Sequence, residues 1–372
     1  MDEKKMRIAF LGMKYTPALG QGGVEVVVEQ LSTRMVKKGH SITCFNRRGS
    51  QGADKKLKEY KGIRLKTVPT IDKRGLAAMS SSFFAAIRAA FGKYDVVHFH
   101  AEGPCAMLWL PKLMRKRCIA TIHGLDHQRA KWGKLASAYI MLGEKFAVKF
   151  ADEIIVLSKG VQDYFKETYC RDTVFIPNGV NRPMIRKPNL IGDKFNLEKD
   201  EYVLFLGRLV PEKGLINLIK AFKNVNTEKK LVIAGGSSDT NVFVNELKSL
   251  AKDDNRIIFT GFVNGELLDE LYSNAYVYVL PSDLEGMPLS LLEAMSYGNC
   301  CIVSDIKECT EVVEDKALIC EKSNLDDLKN KLQEICDNEE LVFKYKKESA
   351  NFICNKYDWD EVVDKTLDLY VK

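Results

Sequence analysis

The stretch SDLEGMPLSLLEAMSYG, residues 282–298, carries two glutamates, Glu285 and Glu293, with seven residues between them. It follows AYVYVLPS (275–282), a short apolar run of strand-forming residues, and it leads into CCIVSD (300–305), another such run. A strand, a turn with Gly and Pro, a helical stretch and a second strand make one βα unit. Pro288 suits the first helical position, where its missing N–H costs nothing. Glu285 then lies in the loop after the strand and Glu293 about a turn and a half inside the helix.

The same unit repeats along the chain. In the first half the strand-like runs are RIAFLGM (7–13), SITCFN (41–46), DVVHFH (95–100), CIATIHG (118–124), EIIVLS (153–158) and VFIPNG (174–179). In the second they are YVLFLGR (202–208), KLVIAGG (230–236), RIIFTGF (256–262) and the two runs above. Near-continuous runs rich in Val and Ile suit parallel strands covered on both faces. The fold class expected is α/β, with two Rossmann-like doubly wound domains. A chain of 372 residues fits two domains. The segment NRPMIRKPNLIGDK, with two prolines and little apolar period, marks the boundary near residues 184/185.

Composition narrows the function. Residues 1–184 hold 32 Lys+Arg against 16 Asp+Glu, a balance of +16, and the remainder holds 24 against 34, or −10. A basic half favours an anionic partner: a phosphate-bearing substrate, a membrane surface or nucleic acid. No recognition-helix or aromatic-strand module supports nucleic acid, which is not expected as a partner. The ten cysteines show no CxxC spacing and several sit in strand-like runs, which reads as reduced core thiols. No apolar run approaches the ~18 residues of a membrane span, and the N-terminus lacks a signal-peptide pattern. A cytoplasmic protein is expected.

In doubly wound sheets ligands meet the carboxyl ends of the strands. After the first strand, Gly20, Gly22 and Gly23 lead into a helix expected near Val24, a setting for an anion or simply a tight turn. The loop is not GxGxxG, and Asn46 stands where a dinucleotide-binding acidic residue would, so dinucleotide binding is disfavoured. His123 ends the fourth strand beside Gly124, and Asp126, Arg129, Lys131 and Trp132 follow as a polar and aromatic loop. His98 and His100 alternate on one strand without a third metal ligand in view; burial, or cleft lining by His100, is the expectation. In FLGRLVPEKG, Arg208 and Lys213 flank a turn into a helix, chemistry suited to a diphosphate. TGFVN, with Gly261, Phe262 and Val263, offers an edge for a flat base.

Taken together, the E-x7-E segment, the preceding GRLVPEKG and the HG strand end resemble the retaining glycosyltransferases of family 4, which have the two-domain GT-B fold. The resemblance covers essentially the whole chain, including the closing YDWDEVVDKTLDLYVK. It implies two domains facing a central cleft: an acceptor-binding domain of residues 1–184 plus 355–372, the last helix crossing back, and a donor-binding domain of residues 185–354. By the same likeness Glu293 holds a ribose and Glu285 the transferred sugar, while Arg208 and Lys213 hold the diphosphate. Backbone donors come from Met287 and Leu289 in the turn Gly286–Leu289, around Pro288. Gly207, Gly261, Phe262 and Val263 complete the donor side, and Gly22 and Gly23 approach the phosphates or the acceptor. His123 meets the donor sugar near the reacting carbon. Asp126, Arg129, Trp132 and His100 are expected toward the acceptor.

The resemblance further implies a UDP-, GDP- or dTDP-sugar donor, no cofactor and no metal. Its one DxD match, Asp358-Trp359-Asp360, reads as a helix cap. The acceptor implied is a glycan or a polyprenyl-phosphate-linked glycan, in assembly of a bacterial surface polysaccharide or glycolipid. The basic half, through PKLMRKR (111–117) and NRR (46–48), would rest on an anionic membrane, a peripheral station on its inner face. A nucleotide-sugar 2-epimerase of similar fold and a non-catalytic sugar-nucleotide-binding module are the alternatives.

Overall fold

The computed structural model describes residues 5–18, 22–49, 57–73, 75–128, 132–237 and 241–371. The chain divides into two compact units, Met1–Asn178 with Trp359–Lys372, and Gly179–Asp358. Strands of the first are β1 (Arg7–Leu11), β2 (Ser41–Arg47), β3 (Glu59–Tyr60), β4 (Ile63–Val68), β5 (Val96–His100), β6 (Arg117–Ile122), β7 (Glu153–Val156) and β8 (Val174–Phe175). They form one eight-stranded sheet in the order β3-β4-β2-β1-β5-β6-β7-β8, parallel except for the β3–β4 pair.

The second unit holds β9 (Tyr202–Leu206), β10 (Lys230–Ala234), β11 (Ile257–Gly261), β12 (Val277–Leu280), β13 (Cys300–Ser304) and β14 (Leu318–Cys320). Their order is β11-β10-β9-β12-β13-β14, all parallel. Each sheet runs outward from its first strand and then reverses, which is the doubly wound arrangement. Helices cover both faces, so the central strands are buried throughout: Ile8 to Leu11 and Val277 to Leu280 are wholly inaccessible. All ten cysteines are free thiols, and eight of them are buried.

Three strands lie outside the runs read from sequence. IRLKTV in β4 alternates buried and exposed residues, and its charges hide the run. β3 and β14 have two and three residues, too short for a pattern.

The last helix, Trp359–Val371, belongs to the first unit and packs on the helix Gly23–Lys37. Arg34 Nε donates to Asp360 at 3.0 Å, and its guanidinium lies 5.9 Å from the Trp359 ring centroid. Arg117 Nε donates to the Leu369 carbonyl at 2.8 Å. Asp360 of the DxD match is thus spent on docking a helix. Among the described residues, no helix is long and apolar enough to cross a membrane.

Candidate functional site

In the second unit the strand order reverses between β9 and β12, the switch point at which doubly wound sheets bind their ligands. Two glycines let backbones meet around it, one between the ends of β9 and β10 and one between the β9 and β12 loops. Gly235 has φ +139°, and a Cβ on it would lie 1.8 Å from the Gly207 carbonyl oxygen. Gly214 has φ +69°, and a Cβ on it would lie 2.1 Å from the Pro281 carbonyl oxygen. The amide of Asp283 donates to the Glu212 carbonyl at 2.8 Å, joining the β9 loop to the β12 loop.

This join sets the chemistry. A single 3-10 turn, Pro211–Lys213, delivers Lys213 beneath the β12 loop, where its ammonium pairs with the Glu285 carboxylate. The two residues are 8% and 9% exposed. An ammonium has three donors, and Glu285 occupies one face of it. The residue expected at the diphosphate and the one expected at the sugar are therefore mutual partners. Arg208 is half-buried two residues beyond β9.

Pro288 precedes the helix rather than opening it: with ψ 100° it is extended, and the helix runs Leu289–Ser296. The N–H groups of that first turn have no intrahelical acceptor. Gly286 and Met287 are buried beside it. Gly261 ends β11, two strands from β9 and about 10 Å across the sheet, and Phe262 and Val263 follow it. Gly261 has φ +71° with open space around it, and Phe262 is exposed while Val263 is buried.

Glu293 rests on tyrosines that the sequence did not single out. Tyr272 Oη lies 3.1 Å from Glu293 Oε2 and 3.3 Å from the Ser290 carbonyl, with Tyr297 stacked on its ring at 5.2 Å. Tyr278 Oη reaches Ser290 Oγ at 2.8 Å and the Leu206 carbonyl at 3.2 Å. Burial pushes the Glu293 carboxyl up to about 7; the Tyr272 hydrogen bond opposes this and Asp269 adds to it. DELYSNAYVY reads as a helix end and a strand, and nothing in its pattern aims Tyr272 at a residue 21 positions on.

In the first unit the reversal lies between β1 and β5. Gly12, at φ +104°, follows β1, and a Cβ there would lie 2.1 Å from the His100 carbonyl oxygen. Behind it is a row of histidines. His98 Nδ1 meets Tyr370 Oη at 2.6 Å and its Nε2 meets Thr121 Oγ1 at 2.7 Å. The His98 and His100 rings stack at 4.4 Å, and His100 Nδ1 lies 3.0 Å from His123 Nε2. Burial lowers His98 to about 3 and His100 well below its ordinary range, so both are neutral. His100 was expected toward the acceptor; it is fully buried, which removes it from acceptor contact and stands it behind His123.

Asp126 lies in the turn after His123, its amide donating to Glu102 Oε2 at 2.8 Å, and Trp132 is half-buried beyond it. Arg129, Lys131 and Gly20 lie outside the described residues. Gly22, at φ +92°, precedes the helix that Gly23 opens. That first turn already holds an anion: Glu25 is 5% exposed and its Oε1 accepts the Lys14 amide at 2.8 Å.

The basic segments expected on a membrane are mostly engaged inside the first unit. Lys112 pairs with Asp152, Lys116 donates to the carbonyls of Gly92 and Tyr94, and Arg117 serves Leu369. Burial lowers Arg47 from its ordinary value. Of the basic residues in these runs, Arg48 and Arg115 are exposed. Charges that hold tertiary structure do not form an open basic face.

Comparison with known proteins agrees with this architecture. The model "Glycosyltransferase Family 4" matches residues 21–182, and "Glycosyl transferases group 1" matches residues 187–358. The Escherichia coli UDP-Gal:alpha-D-GlcNAc-diphosphoundecaprenol alpha-1,3-galactosyltransferase is 30% identical over 75% of this chain and 76% of its own. The Anabaena HepE structure with UDP-glucose superposes with a TM-score of 0.81 at 17% identity, over 98% of this chain and 99% of that one. The Thermosynechococcus elongatus sucrose-phosphate synthase gives a TM-score of 0.81 at 21% identity, over 98% of both chains. The chain belongs to the group 1, family 4 glycosyltransferases, with their GT-B fold.

Proposed function

We propose that this glycosyltransferase moves a sugar, with retention at its anomeric carbon, from a nucleoside diphosphate sugar to a glycan or polyprenyl-phosphate-linked acceptor. The observation that carries the reading is the buried Lys213–Glu285 pair at the β9/β12 reversal, flanked by Arg208 and by the first turn of the helix Leu289–Ser296. Two of the three ammonium protons remain for phosphate oxygens while the third stays on Glu285. Arg208 and Lys213 then offset the charge that develops on the leaving diphosphate, and no metal takes part in the transfer. In front-face substitution the acceptor hydroxyl adds to the carbon on the face from which the phosphate oxygen departs. That departing oxygen takes the hydroxyl proton. Glu293 grips the ribose, and His123 the sugar.

A lipid-linked acceptor is supported by the relative from Escherichia coli, whose name contains a diphosphoundecaprenol. The role at a membrane passes to the helix Lys134–Phe150, where exposed Leu135, Met141 and Leu142 accompany Lys134, Lys145 and Lys149. Surface polysaccharide or glycolipid assembly is the context that fits such an acceptor.

The test is turnover of UDP-, GDP- and dTDP-sugars with membrane extract as acceptor, for the wild type, Lys213→Ala and Glu285→Ala. Transfer of one sugar with retained configuration, lost in both variants and unaffected by EDTA added at assay, is the expected result. Donor binding without any nucleotide release, or release of a free sugar epimer, would overturn the reading.

A further inference from the structure

After the strand end that carries His123, the first unit gathers two buried carboxylates and a half-buried imidazole that the transfer reaction does not use. Glu102 opens a short helix after β5, Glu144 lies in the helix Lys134–Phe150, and His127 lies in the turn Asp126–Gln128. Gly143 brings the helices together: a Cβ on it would lie 2.0 Å from the Glu102 carbonyl oxygen. Glu102 and Glu144 are both 0% exposed.

Each carboxylate has one oxygen held and one not. Glu102 Oε2 accepts the Asp126 amide at 2.8 Å. Glu144 Oε1 accepts Tyr164 Oη at 2.9 Å and also Tyr169 Oη. The other oxygens, Glu102 Oε1 and Glu144 Oε2, face His127 Nδ1 at 3.6 and 3.3 Å. None of these three atoms makes a hydrogen bond among the described residues, and all lie within 4.8 Å of one another. Two buried carboxylates beside a single imidazole are costly when ionised, and three atoms without a hydrogen bond converging on one point call for an occupant.

We propose that Glu102, His127 and Glu144 bind one divalent transition-metal ion, with Zn2+ the best match. One imidazole and two carboxylates suit such an ion, and metal–ligand distances near 2.1 Å put tetrahedral ligand atoms about 3.4 Å apart. The two separations from His127 Nδ1, 3.3 and 3.6 Å, bracket that edge. The tyrosine hydroxyls and the Asp126 amide supply the outer hydrogen bonds that orient ligating carboxylates. The ion would tie the turn after His123 to the helix Lys134–Phe150. Its role is structural and independent of the donor pocket.

The experiment uses the untagged full chain, dialysed against Zn2+ or Co2+ and freed of excess metal, with metal content measured by emission spectrometry. One ion per chain is expected, with a Co2+ absorption spectrum of nitrogen and oxygen ligation. His127→Ala and Glu144→Gln should each weaken binding by about 100-fold or more, and Tyr169→Phe by about 10-fold. Tyr169→Phe keeps all three ligands, so it tests the outer bond where a ligand variant fails to fold. Substoichiometric metal at excess Zn2+, unchanged affinity in folded variants, or a thiolate-to-cobalt charge-transfer band would overturn the site. Metal content is read apart from transfer, so failure of the proposed activity would leave this result standing, and the reverse.

Discussion

Nδ1 of His100 lies 3.0 Å from Nε2 of His123, and the other nitrogen of His100 has no hydrogen-bond partner among the described residues. A buried N–H left unpaired costs more than a buried lone pair. The neutral His100 ring therefore carries its proton on Nδ1 and donates it to His123. Neutral His123 then carries its own proton on Nδ1, as a donor. His123→Ala should lower kcat by about 100-fold, and His100→Phe by about 10-fold, each with little change in nucleotide affinity. Steady-state kinetics beside binding of the donor nucleotide separates the two quantities. Equal losses of kcat and affinity would make the histidines a matter of folding.

The Lys213–Glu285 pair predicts a coupled stability effect. Removing one partner leaves the other charge buried, at a cost of about 3–5 kcal/mol. Lys213→Ala and Glu285→Ala should each lower the melting temperature, and the double variant should be more stable than the sum of the single losses implies. Additive losses in denaturant unfolding would mean that the two side chains do not interact.

Glu293 makes stability and nucleotide affinity depend on pH in opposite directions. Its carboxyl titrates near 7 in the fold against an ordinary value of 4.5. Between those values the folded chain holds a proton that the unfolded chain has lost, so this group's contribution to stability falls as pH rises from about 4.5 to about 7. With Glu293 on the ribose as proposed, the sugar hydroxyls favour the ionised form, so binding of the donor nucleotide should tighten through the same window, approaching tenfold per pH unit below 7. Calorimetric titration of the wild type and Glu293→Gln from pH 5 to 8 checks both, with the variant flat.

Two glycines with positive φ should respond differently. In Gly235→Ala the added carbon meets the Gly207 carbonyl at 1.8 Å, so the ends of β9 and β10 must separate. In Gly261→Ala, at φ +71°, nothing lies within 4 Å. The second change should cost only about 1–2 kcal/mol of backbone strain, and the first clearly more, with weaker nucleotide binding. Comparable melting temperatures for the two variants would contradict this.

What the sequence revealed depended on distance along the chain. The placement of Arg208, Lys213 and Glu285 just after strands is legible because a parallel strand delivers its next residues to one sheet edge, a local consequence of the βα unit. The pairing of Lys213 with Glu285 is not, because it needs two loops 72 residues apart to meet. Distance also explains the basic segments. Arg117 reads as a surface charge until Leu369, 252 residues on, supplies its acceptor. Tyr272 stayed hidden for a similar reason, since a hydroxyl carries no sequence mark of the carboxylate it meets.

The first unit is interrupted: Gly179–Asp358, 180 residues of second unit, separate its main part from the helix Trp359–Val371. That helix supplies Trp359 to Arg34 and Tyr370 to His98. On the ribosome, then, the first unit must wait with an apolar face bare and His98 Nδ1 without its Tyr370 partner until the second has been synthesised. The half begun first is completed last, and the second unit can mature earlier in the life of the nascent chain.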